Sequence, residues 1–164
     1  MGRSWQTAFL LLLFLLIGGP LGAQKPTSHG FAVLLSNDDG YDAPGLKALI
    51  AALHPLGEVF VAAPATEQSG IGHALILRAP IMVDERRQPK GISWYAIEAP
   101  PATCVRLALE SLLPQRPNVV ISGINRGDNL GTTVYHSGTL GAAREAALMG
   151  PVSYTHLRAH ETVL

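Results

Sequence analysis

Apolar positions fall along this chain in two rhythms. Phe31 to Leu35, Val59 to Ala63 and Val119 to Ile121 are unbroken apolar runs. Short runs of this kind predict strands buried on both faces. Between the first two, Leu46, Leu49, Ile50 and Leu53 recur at the i, i+3, i+4, i+7 spacing of one helix face, and Pro44 opens that helix. Strand, helix and strand in that order make a βαβ unit, so the sheet is expected to be parallel with a right-handed crossover. Further on, residues 75–77 and 81–83 predict extended chain, Asp84 to Gly91 an exposed charged turn, and Ser93 to Ile97 another strand. The pair is expected to form an antiparallel excursion at one side of the sheet. Pro100-Pro101 then starts a helix with Val105, Ala108, Leu109 and Leu112 on one face, which Pro114 and Pro117 stop. An alanine-rich helix is expected over 140–149. The fold class is α/β.

Each buried run ends in polar residues, and that is where chemistry is expected. In open α/β sheets ligands bind at the carboxyl edge of the strands. The first strand delivers Ser36-Asn37-Asp38-Asp39-Gly40. Two adjacent carboxylates repel, and a cation is the usual reason to keep both at one strand tip. The plainer reading is an Asx-turn and helix cap, with Gly40 at positive φ. The second strand leads into a polar, glycine-rich loop, Pro64 to His73, in which Ser69 is a possible metal ligand. The strand at 119–121 delivers Asn125, whose amide oxygen suits a hard cation. Ser137, Gly138 and Thr139 precede the last helix, a helix N-terminus that suits phosphate. The plainer reading there is N-capping by Ser137 or Thr139. Oxygen ligands with a phosphate site beside them suggest metal-assisted phosphoester hydrolysis.

The bulk composition narrows the partners. The chain has 164 residues and a formal net charge of zero, so no basic excess is present to hold a polymeric nucleic acid. Cys104 is the only cysteine, which excludes an intramolecular disulfide and a thiolate zinc site. The N-terminus is set apart. Arg3 precedes an unbroken apolar run from Ala8 to Ile17, and Gly18-Gly19-Pro20 and Leu21-Gly22-Ala23 follow. That pattern marks residues 1–23 as a secretory signal peptide, so a secreted or periplasmic location is expected, with membrane contact only during export. Residues 24–150 form the expected domain.

Five blocks in order resemble one family. They are Ser36-Asn37-Asp38-Asp39-Gly40, Pro64-Ala65-Thr66-Glu67-Gln68-Ser69-Gly70, Pro101-Ala102-Thr103-Cys104-Val105, Ser122-Gly123-Ile124-Asn125-Arg126-Gly127-Asp128-Asn129 and Tyr135-His136-Ser137-Gly138-Thr139. The chain resembles the SurE family of survival-protein 5′/3′-nucleotidases. The resemblance implies a Rossmann-like three-layer sandwich with a mostly parallel sheet. It implies one divalent cation per subunit, Mg²⁺ or Mn²⁺, held by Asp38, Asp39, Ser69 and Asn125. Asp38, Asp39 and Asn125 are the implied catalytic residues. Asn129, Ser137, Gly138 and Thr139 are implied to hold the phosphate of a nucleoside monophosphate, or of short polyphosphate. A homodimer or tetramer is implied as well.

The resemblance is expected to end at Gly150. Residues 151–164 look like an unrelated tail, so the sheet is expected to be truncated there. A metal-dependent nucleotide-binding module without turnover is therefore an alternative. A serine hydrolase using Ser137 beside His136 is another, although the Gly-x-Ser-x-Gly elbow is missing.

Overall fold

The computed structural model describes residues 30–88 and 91–157. The expected signal peptide lies outside the described residues. Six strands form one sheet in the order β3-β4-β2-β1-β5-β6. They are β1 (Ala32–Ser36), β2 (Glu58–Pro64), β3 (Val83–Gln88), β4 (Ile92–Ile97), β5 (Val119–Asn125) and β6 (Val152–Leu157). All pairings are parallel except that of β3 with β4. Three α-helices cover the sheet, α1 (Pro44–Leu53), α2 (Pro101–Leu107) and α3 (Gly138–Met149).

The apolar runs become two-sided strands for a simple reason. Successive side chains on a strand point to opposite faces. On β1, Ala32 and Leu34 enter one core with Phe60, Val105, Val120, Ala142 and others. Val33 and Leu35 enter a second core with Leu46, Ile50, Val59 and Val61. The first core lies under α2 and α3, the second under α1, which makes three α/β/α layers. Burial on both faces removes any need for polar alternation.

Three expectations change. The charged stretch expected as a turn is largely strand β3, paired antiparallel from Val83↔Ile97 to Gln88↔Ile92. It is an edge strand, where charged side chains remain in water while the backbone makes the ladder. Residues 75–77 are outside regular structure, and the Ile76 N–H donates to Thr103 Oγ1 at 3.0 Å instead of to a strand. The sheet also does not stop at Gly150. Strand β6 runs parallel to β5 from Val119↔Val152 onward, so the expected boundary falls short of the sheet. Gly150 itself ends α3 in the left-handed conformation at φ 101°. The second helix is also irregular: after Leu107 it widens into a π-helical turn, Ala108–Leu112, closed by the Leu113 N–H on the Ala108 carbonyl.

Topology places the site. The chain moves from β1 to β2 on one side and returns to β5 on the other. The crevice between the carboxyl ends of β1 and β5 is thus the switch point of the sheet, with Ser36 opposite Ser122 at its floor.

Candidate active site

Asp38 and Asp39 leave the tip of β1 in a tight turn. The Asn37 side-chain amide donates to the Gly40 carbonyl at 3.0 Å, and Gly40 takes φ 102°. Asn37 forms no Asx-turn, because its amide nitrogen makes this bond and its Oδ1 has no hydrogen-bond partner among the described residues. The expected helix cap is absent too: Ala43 is the N-cap of α1, and no side chain caps it. The two carboxylates are spared that task.

Asp38 is buried and held from three directions. Its carbonyl accepts from the Gln68 N–H at 2.8 Å, which ties the Pro64–His73 loop to the strand tip. Its Oδ1 accepts from the Thr139 hydroxyl at 2.5 Å. Gly138 packs on its other side, where an added Cβ would lie 2.8 Å from Asp38 Cβ and 3.2 Å from Pro101 Cγ. Asp39 is half-buried, and its Oδ2 accepts from the Arg126 N–H at 3.1 Å. Burial first, and the Asp38 charge second, push its carboxyl above the usual carboxylate range. Ser69 donates to Glu67 Oε1 at 2.9 Å. The Asn125 amide nitrogen donates to the Gly127 carbonyl at 2.7 Å, which turns the amide oxygen to other use.

One cleft of about 510 Å³ collects Asp38, Asp39, Ser69, Asn125, Asn129 and Ser137 from the expected residues. Gly138 and Thr139 do not line it; they sit beneath, pressed on Asp38. Ser137 is the N-cap of α3 and accepts from the Leu140 N–H at 3.1 Å and from the Asn129 amide at 2.8 Å. The capping reading thus holds for Ser137 and not for Thr139. Among the described residues Ser137 Oγ has these two donors and no hydrogen bond to His136, so the serine-hydrolase alternative gains no support from the geometry.

The sequence reading missed two kinds of residue. Glu67 and Arg126 line the cleft as well, as does His136, which the sequence offered only as a partner of Ser137. A charged residue in a loop carries no signal until its neighbours are known. Deeper, Glu145 on α3 is only 2% exposed and is bridged by His73 Nε2 at 2.7 Å and by Arg106 at 2.9 Å. That cluster links the loop carrying Ser69 to α2 and α3.

The donor set fits a hard divalent cation. Each candidate ligand keeps an oxygen lone pair after its internal hydrogen bond: Asp38 Oδ2, Asp39 Oδ1, the Ser69 hydroxyl and the Asn125 amide oxygen. Burial first, and the Asp38 charge second, disfavour the ionised Asp39 carboxyl, and a cation would offset both. The candidate set is two carboxylates and two neutral oxygens, with Glu67 and Asp128 also lining the cleft.

Residues 33–155 match the family model of survival protein SurE. The chain belongs to the SurE family. The 5′-nucleotidase SurE of Pelobacter propionicus is 50% identical over 118 residues, covering 72% of this chain and 46% of that protein. The 5′-nucleotidase SurE of Geotalea daltonii is 52% identical over the same length and shares. The crystal structure of the SurE protein from Aquifex aeolicus superposes with a TM-score of 0.66 at 37% identity, covering 81% of this chain and 53% of that one. The chain spans about half the length of the curated relatives it matches. The match through residue 155 includes the start of β6, in agreement with the strand seen there.

Proposed function

We propose that this chain carries the metal and phosphate site of a divalent-metal-dependent phosphomonoesterase. Its substrates are nucleoside 5′- and 3′-monophosphates, with short polyphosphate as a further substrate, and its products are nucleoside and phosphate. The observation that carries the reading is the convergence of Asp38, Asp39, Ser69 and Asn125 in one cleft at the sheet's switch point, with the start of α3 beside them. The relatives named as 5′-nucleotidases support it.

Asp38, Asp39, Ser69 and Asn125 would hold the cation, Mg²⁺ or Mn²⁺. When bound, such an ion supplies Lewis acidity at phosphoryl oxygen and makes water a better nucleophile. The chain's own residues do the positioning. Asn129 and Ser137 flank the phosphate, their mutual hydrogen bond fixing both side chains. The N–H groups and positive end of α3 face the same charge. Thr139 and Gly138 keep Asp38 in one orientation, and the Arg126 N–H does so for Asp39. Pre-set groups of this kind stabilise charge as it develops on the phosphoryl oxygens.

The full gene product should release phosphate from nucleoside monophosphates, lose that activity in EDTA and regain it with Mg²⁺ or Mn²⁺. Release that persists in EDTA would defeat the metal-dependent reading. Tight nucleotide binding without release would favour the binding module.

A further inference from the structure

The cleft continues past Asp39. Asp39, Asn125 and Arg126 also line a neighbouring pocket of about 280 Å³. Its remaining walls are Ala43, Pro44 and Gly45 at the start of α1 and Ile124 on β5. The pocket exists because α1 begins hard against the end of β5. An added Cβ at Gly45 would lie 2.3 Å from the Ile124 carbonyl oxygen, so only glycine permits that approach.

The two compartments differ in chemistry. The cleft offers carboxylates, amides and a hydroxyl. The pocket adds hydrocarbon from Ala43, Pro44 and Ile124 to the three residues common to both, Asp39, Asn125 and Arg126. Hydrocarbon walls suit neither phosphate nor a cation. They suit a flat ring of low charge, and a guanidinium is a natural stacking partner for such a ring. Ligand pockets commonly measure roughly 300–1,000 Å³, so the space matches one moiety of a nucleotide and leaves the phosphate in the cleft. A third pocket of about 300 Å³ between Tyr41 and Arg86 shares no lining residue with the cleft, whereas the apolar pocket shares three.

The geometry points to this apolar pocket as the receiver of the nucleobase of a nucleoside monophosphate whose phosphate lies in the cleft. The inference rests on the nucleotidase reading for its ligand, and adenosine tests it without metal or turnover. Calorimetric titration of adenosine into the full gene product should show binding. Arg126→Ala, which keeps the backbone N–H on Asp39, should weaken it about tenfold, the size of one stacked guanidinium. Ile124→Ala should weaken it less, and ribose alone should bind at least about tenfold more weakly than adenosine. Arg86→Ala should bind adenosine like the wild type. Circular dichroism checks that each variant is folded. Failure of adenosine to bind, wild-type binding by both pocket variants, ribose binding as tightly as adenosine, or loss through Arg86→Ala alone would each overturn the assignment. Phosphate release by the wild type is measured separately. Release without adenosine binding defeats only the pocket, and adenosine binding without release defeats only the nucleotidase reading.

Discussion

Asp39 carries a pH signature at the site itself. Its carboxyl titrates above the ordinary carboxylate range, through burial first and the Asp38 charge second. The folded chain therefore binds a proton more readily than the unfolded chain between that range and the raised value. Stability of the metal-free protein falls as pH rises through this window and is level above it. Asp39→Asn should consequently raise the melting temperature of the metal-free protein at neutral pH. The gain is under about 1 kcal/mol, since the group is half-exposed and water screens the pair. The same variant should lose most phosphate release, because a charge is taken from the cation. A fall in the metal-free melting temperature would contradict the repulsion argument. Gly138→Ala should cost about 1–3 kcal/mol by forcing its methyl against Asp38 Cβ, with activity falling too. Thermal melts and phosphate assays read both effects. At this scale the meeting of the candidate residues in one cleft was legible, since strand tips on one sheet edge deliver their loops together. The duty of Thr139 was not: whether a helix-start hydroxyl faces solvent or a neighbour is decided by packing on Asp38.

Elements with a strong period were readable and those without were not. The two-sided strands β1, β2 and β5 and the helices α1 and α2 follow from their apolar spacing, and α3 from its alanine content. Edge strand β3 has charged residues at 84–87, and its strand character comes from the β4 ladder, which a local pattern does not encode. The Glu145 cluster is hidden for a related reason, because its partners lie 39 and 72 residues away along the chain. Glu145→Ala removes the shared partner of His73 and Arg106. The expected loss is about 1–3 kcal/mol, a few degrees in melting temperature, with Arg106 still paired to Glu110. An unchanged melt would show that the cluster contributes nothing net.

In the whole molecule, the sheet order matters more than any single motif. Placing β1 between β2 and β5 brings segments near residues 38, 69, 125 and 137 to one crevice. That convergence was anticipated because buried strands deliver their tips to one edge. Strand β6 was not, because Val152–Leu157 has no continuous apolar run and is held by its ladder to β5. We propose export through removal of residues 1–23, and N-terminal sequencing of the mature protein should begin near Gln24; recovery of Met1 from an extracytoplasmic fraction would contradict cleavage. The central claim is that Asp38, Asp39, Ser69 and Asn125 hold one divalent cation. Its most direct test is a Mn²⁺ titration of the full gene product, followed by electron paramagnetic resonance. The expected result is one bound Mn²⁺ per chain, weakened by about tenfold or more in Asp38→Asn and in Asp39→Asn. Unchanged Mn²⁺ affinity in both variants would contradict it.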